Sequence, residues 1–251
     1  MSNPALFDYL LRLGDDRLVL GHRLSEWCGH GPILEEDIAL ANISLDLIGE
    51  ASLLLKLAAS VEGKGRDEDV LAYFRDAIEF RNALLVELPK GDFGFTIVRQ
   101  FLFSVFSLLL MDALQKSRNT ELSGIAAKAV KESRYHVRHS AQWVVTLGAG
   151  TDESHARVQG ALNDLWRYTG ELFAADDVDR AVAASGDGVD PSTLEAAWRA
   201  QVLPVLERAG LQVPSAGYMQ RGGRDGRHTE HLGHMLSEMQ ILARSHPGAS
   251  W

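Results

Sequence analysis

The sequence predicts an all-α protein folded as a large helix bundle, and three observations carry that expectation. Apolar residues recur at helical spacing through long segments, period-2 alternation is essentially missing, and the breaks fall where helix start and stop chemistry would put them. Asn3 caps a first helix with Pro4 at its first position, and Leu6, Leu10, Leu13, Leu20, Leu24 and Trp27 form its stripe before Gly29 and Gly31 stop it. After Pro32, three acids (Glu35, Glu36, Asp37) favour the positive end of a second helix that runs to about Glu62, and Gly63-Lys64-Gly65 turns the chain. A third helix is expected from Asp67 to about Leu88, ended by Pro89 and Gly91. A fourth, from about Phe93 to Lys116, is apolar all round and should be the buried one. The fifth runs from about Thr120 to Leu147 and the sixth opens at Thr151 with Asp152 and Glu153 in its first turn. Asp190-Pro191 opens a seventh that Gly210 and Pro214 end, and after the loop GYMQRGGRDGR a last helix covers about His228 to Arg244.

Bulk properties narrow the function classes. With 251 residues, 46% hydrophobic and 24% charged, the expectation is one domain over 1–251 around a single core. A formal net charge of −9 argues against nucleic acid or an anionic membrane as the main partner. Cys28 is the only cysteine, which excludes an intramolecular disulfide and a Cys-rich zinc site; its expected role is that of a buried small hydrophobe. No basic n-region precedes an apolar run near Met1, and the most apolar segment, Phe101 to Met111, is shorter than the roughly 20 residues a bilayer demands, so the expected location is the cytoplasm.

The commonest enzymatic use of a large helix bundle is a two-iron site built from two Glu-x-x-His pairs and two further Glu residues. Nowhere in this chain does a His follow a Glu by three residues. In KESRYHVRHS, Tyr135 stands three after Glu132 and His136 is one position late, about 100° round the helix. Asp46 is followed by Gly49 where a His would be needed, and the buried fourth helix has no Asp or Glu between Asp92 and Asp112. Asp152/His155 and Asp225/His228 have the spacing but open an exposed helix and lie in a Gly-rich loop. In HTEHLGHMLSEMQ, His231, His234 and Glu238 share one face and either hold a metal or, with His228 and Glu230, cap and pair across a polar interface; the second reading is preferred because no HExxH is present. His136 and His139 with Arg134 and Arg138 are expected to make charged contacts to a neighbouring helix or subunit. The loop from Arg221 to Arg227 either cradles phosphate on backbone amides or braces an acidic partner.

The runs LRLGDDRLVLGHRLSEWCGHGPILEEDIALANISLDLIGEA, FRDAIEFRNALLVELPKGDF, AKAVKESRYHVRH, LWRYTGELF and GGRDGRHTEHLGHMLSEMQ closely resemble the C-type structural subunits of multicomponent phenylacetyl-CoA 1,2-epoxidases, the ring-hydroxylating oxygenases of aerobic phenylacetate breakdown. The likeness covers nearly the whole chain. It implies a ferritin-like fold that has lost its metal ligands, with no cofactor in this chain and a di-iron centre in a partner catalytic A subunit. It further implies a small B subunit, a reductase that acts indirectly, and phenylacetyl-CoA at or near the subunit interface. By the same resemblance Glu79, Phe80, Arg81 and Asn82, together with Arg180, Ala181 and Val182, approach the CoA ester, for which arginine is a chemically suitable phosphate donor. Trp166, Tyr168 and Phe173 are candidates for a partly interfacial place, with core packing the favoured role for any one of them. Two other readings stay open: a self-sufficient metalloprotein using Glu26, Asp46, Glu132 and His136, and a stand-alone carrier of small hydrophobic acids.

Overall fold

The computed structural model describes residues 3–215 and 217–249, and all regular structure in them is helical. The first helix, α1 (Pro4–Ser25), starts where Asn3 Oδ1 accepts the Leu6 amide. In α2 (Leu34–Glu62) the residue before the helix offers no side-chain cap, but Asp37 reaches back to accept the amides of Gly29 and Gly31, which closes the turn from α1. Gly63, at φ +70°, ends α2 in the left-handed region that glycine adopts without a Cβ clash. The remaining long helices are α5 (Phe93–Leu114) and α6 (Thr120–Gly148), which pack along each other as α1 does along α2, while α2 also meets α6.

The expected third helix, Asp67 to Leu88, is not continuous. It is divided into α3 (Glu68–Tyr73), a 3-10 turn at Ala77–Glu79 and the single turn α4 (Leu84–Glu87). Tertiary hydrogen bonds outcompete the helix here. Arg75 is buried and pairs with Asp15 of α1, and the amides of Arg81 and Ala83 are taken by the carboxylates of Asp15 (2.8 Å) and Asp16 (2.7 Å) instead of by carbonyls four residues back.

After α7 (Asp152–Trp166) comes a further helix that the sequence reading did not separate, α8 (Asp177–Ser185). Its signals are nonetheless ordinary: Asp176 accepts the Val178 and Asp179 amides, and Gly186 at φ +81° ends it. A 3-10 turn at Pro191–Leu194 leads into α9 (Glu195–Arg208), and α10 (Glu230–Ser245) packs against α3, starting two residues later than expected.

Helix α5 occupies the centre, as its all-round apolarity predicts. Phe101, Leu102, Phe103 and Val105 are wholly buried, and the Trp198 indole of α9 donates to the Leu102 carbonyl at 2.9 Å. Phe106, Phe173, Trp198 and Trp166 continue the core as a chain of ring contacts. Trp166 and Phe173 are therefore core residues, and of the three candidates for an interface only Tyr168 is half-buried. Cys28 is likewise not a core residue; it is exposed in the turn after α1. By length and composition α2 and α5 could each cross a membrane, so the apolar run read as Phe101 to Met111 extends to a whole helix; within α5, 78% of that stretch is buried inside the bundle.

Candidate functional site

Charged side chains inside the bundle define what its centre can do. Arg17 of α1 is 1% exposed and reaches between the long helices, donating from Nε to Glu50 of α2 at 2.6 Å, from Nη1 to the Leu13 carbonyl and from Nη2 to Ser107 of α5 at 3.1 Å. Around this pair lie Asp46 and Glu132, the latter with its carboxyl pushed up from the ordinary range by burial and with Oε2 unpartnered. His136 Nε2 is bound to Asp46 at 3.0 Å and His139 Nε2 to Glu36 at 2.8 Å, so both histidines bridge α6 to α2 as the sequence suggested. This donor set does not fit a pair of iron ions. A guanidinium already neutralises Glu50, α5 contributes a hydroxyl in place of a carboxylate, and among the described residues no group of three or more His, Cys, Asp or Glu is placed to share a cation. Glu26, one of the ligands considered for a self-sufficient metal site, is paired with Arg23 at the end of α1.

A second cluster surrounds the residues that the resemblance singled out. One stretch of α1 holds both segments. Asp15 and Asp16 fix the backbone of Arg81 and Ala83, while Arg12 is bound to Asp176 and Asp179 at the start of α8. Arg224 adds a third link, donating to Asp16 at 2.8 Å and to the carbonyls of Arg12 and Arg81. Asp179, largely buried, has its carboxyl pushed up by desolvation; Asp176, for which burial is outweighed by Arg12, is held down at about 2.

Individually, the predicted residues differ in what they present. Glu79 is exposed and accepts the Asp76 amide, closing the turn it belongs to. Phe80 is fully buried with the Arg75 guanidinium 4.3 Å from its ring centroid, and Asn82 is buried with its amide nitrogen on Glu87 and its Oδ1 unpartnered. Arg81 is half-buried, its guanidinium held by the carbonyls of Ile78 and Phe80. Arg180 is exposed and paired with Asp177 at 2.9 Å, Ala181 is exposed, and Val182 is buried. The surface these segments offer is thus formed by Glu79, Arg81, Arg180 and Ala181.

The Arg-rich loop resolves in favour of an acidic partner, and the acid is internal. Glu171 Oε1 accepts the amides of Gly222 (2.8 Å) and Gly223 (2.9 Å), and its Oε2 accepts that of Leu84 (2.7 Å). The amides that would cradle phosphate already hold a carboxylate. Beside them a cavity lined by Tyr9, Arg12, Glu171, Asp179 and Arg224, with about 20 Å³ of free space, has room for one water-sized occupant, far below what a hydrophobic acid needs.

The C-terminal histidine cluster pairs rather than gathers. His228 donates from Nδ1 to the buried Glu87 at 2.7 Å and from Nε2 to the Phe80 carbonyl at 3.0 Å, an arrangement that needs a proton on both nitrogens. Burial opposes that charge, but Glu87 and the carbonyl outweigh it and the imidazole pKa is raised from 6.5. The resulting stability is fully present below about pH 6.5 and is lost as pH rises through the folded-state value. Urea midpoints of the wild type should therefore fall from pH 6 to pH 9 by more than those of His228→Gln; parallel curves would refute the assignment. His234 and Glu238 are exposed, and His231 supplies its carbonyl to Arg23.

An all-α bundle of ferritin-like type, with an ion pair among its long helices and no metal-binding cluster among the described residues, is the class of protein that fold and site define. The chain belongs to the phenylacetic acid catabolic protein family, which matches residues 1–251. It is similar to the C subunit of the 1,2-phenylacetyl-CoA epoxidase of Escherichia coli (strain K12): the two are 52% identical over 243 residues, covering 97% of this chain and 98% of that relative.

The sequence reading missed the α1 network. Arg12, Asp15, Asp16 and Arg23 follow one another at helical spacing, a pattern that ordinarily marks a solvated face; here all four are buried. The signal that could have found them is that the leucines of LRLGDDRLVLGHRL surround the charges on every side, leaving no face of α1 for water.

Proposed function

We propose that this chain is a structural, non-catalytic subunit of a multicomponent phenylacetyl-CoA 1,2-epoxidase acting in aerobic phenylacetate catabolism in the cytoplasm. In this reading it binds and stabilises a catalytic subunit that carries the di-iron centre, beside a small further subunit and with electrons arriving from a reductase. The observation that carries it is the Arg17–Glu50 pair between the long helices, where a permanently charged guanidinium takes up the carboxylate that a metal would require. The near full-length likeness to a subunit of such an enzyme supports the same reading. A companion that binds only the folded catalytic subunit stabilises it by mass action and, by walling one side of a substrate channel, excludes water and fixes the ester. The wall in this reading is the exposed part of the two segments, Glu79, Arg81, Arg180 and Ala181, where Arg81 and Arg180, on exchanging the Ile78 and Phe80 carbonyls and Asp177 for the ester, offer cationic donors to the CoA phosphates. When bound in the partner, iron would supply oxygen activation; this chain's residues orient and enclose.

The test combines two measurements. The chain purified alone should carry far less than one iron per polypeptide, and the catalytic subunit should lose most of its epoxidase activity when this chain is withheld and regain it on addition. A full di-iron complement in the isolated chain, or undiminished activity without it, would overturn the reading.

A further inference from the structure

Every hydrogen bond of the Arg12 side chain goes to the start of α8. Nη1 donates to Asp176 Oδ1 and Asp179 Oδ2, both at 2.9 Å, Nη2 donates to Asp176 Oδ2, and Nε has no partner. The same two carboxylates build the helix cap, Asp176 accepting the Val178 and Asp179 amides and Asp179 that of Asp176. At its far end α8 is held by the turn between α5 and α6, where Arg118 donates its amide to the Gly186 carbonyl and Ser117 its hydroxyl to that of Asp187. Among the helices α8 packs chiefly on α1, so its near end hangs on Arg12. Arg180 follows Asp179 directly. Its guanidinium lies along the outside of this first turn, on the Ala175 carbonyl at 3.2 Å and on Asp177 at 2.9 Å. An exposed pair of that kind holds a side chain weakly, so the place of Arg180 is decided by how firmly the turn beneath it is fixed. Arg81 is anchored close by, since its amide is held by Asp15, a neighbour of Arg12 on the same face of α1.

We infer that Arg12 is a positioning residue for the CoA ester: it sets Arg180 at a fixed distance from Arg81, so that the two guanidinium groups meet two anionic groups of one ligand, an assignment that rests on the substrate wall proposed above. Arg12 is 6% exposed and does not meet the ligand itself. A CoA ester fits the pair because its diphosphate and its ribose phosphate are separate anions carried on one nucleoside. Fixing both donors before the ligand arrives removes the ordering cost that a free surface arginine brings to binding. That gain is the same for bound substrate and transition state, so it belongs in KM and not in kcat.

The catalytic subunit reconstituted with this chain is assayed with phenylacetyl-CoA and with phenylacetyl-pantetheine, which lacks the nucleotide and its phosphates. Arg180→Ala and Arg12→Gln should each raise KM for phenylacetyl-CoA by about tenfold at unchanged kcat, and neither should shift it for the pantetheine ester by more than about twofold. The double variant Arg12→Gln/Arg180→Ala should match Arg180→Ala alone, because a positioning residue acts only through the group it positions. Asp176→Asn is a milder route to the same state: asparagine still caps the helix but has no second oxygen for Arg12, and KM for phenylacetyl-CoA should rise with helical circular dichroism unchanged. An equal rise with the pantetheine ester, an additive loss in the double variant, or an unchanged KM in Arg12→Gln overturns the positioning role and leaves the wall standing. If Arg12→Gln does not fold, an unchanged KM in Asp176→Asn does the same. Wild-type KM for phenylacetyl-CoA in both Arg81→Ala and Arg180→Ala overturns the wall, and the role of Arg12 falls with it.

Discussion

Replacing Glu50 with alanine is expected to cost about 3–5 kcal/mol of folding stability, because it strands the Arg17 guanidinium where water cannot reach it. Removing a buried partner differs from removing a buried pair. In the double variant Arg17→Met/Glu50→Leu neither charge remains, the methionine can follow the path of the arginine stem, and most of the lost stability should return. For a chain of this size the single substitution corresponds to a fall in Tm of about 6–20 °C. Thermal unfolding of the two variants side by side checks the argument: a double variant as unstable as Glu50→Ala would mean that the ion pair is not what the bundle interior depends on.

How far the fold was legible follows from where local and distant interactions agree. The long helices carry their own signals: Asn3 and Asn119 at the starts, Gly63 at an end, and an apolar stripe between, so α1, α2, α5 and α6 could be placed from spacing alone. The segment from Phe74 to Leu88 failed because its conformation is set by Asp15 and Asp16, more than sixty residues earlier, and no local pattern announces that a carboxylate elsewhere will claim the Arg81 and Ala83 amides. The missed α8 is a different case. Its Asp176 cap and Gly186 stop were in the sequence, but the helix is only nine residues long and offers little periodicity between them. At the bundle centre the absence of Glu-x-x-His was readable, whereas the pairing of Arg17 with Glu50 was not, since the two come from different helices and each alone resembles a surface charge.

Glu171→Ala should be the second severe substitution, and its effect should be localised. One carboxylate satisfies three backbone amides, those of Leu84, Gly222 and Gly223, and the last two belong to a loop whose close approach leaves no alternative residue: a Cβ on Gly223 would lie 2.1 Å from the Asn82 carbonyl oxygen. Each buried amide left without an acceptor costs about 1–3 kcal/mol, so a total of roughly 3 kcal/mol or more is expected even with water entering the space. Hydrogen exchange gives the sharper reading. Protection at Leu84, Gly222 and Gly223 should collapse while the amides of α2 and α6 exchange as in the wild type; unaltered protection at the two glycines would remove Glu171 from its assigned place. The same variant separates the two readings of the Arg-rich loop. With the internal carboxylate gone, the exposed amides and Arg224 form a nest for an anion, so inorganic phosphate should slow exchange at Gly222 and Gly223 in Glu171→Ala. In the wild type it should have no such effect, because an incoming anion would have to displace Glu171 while its charge is still buried beside the loop.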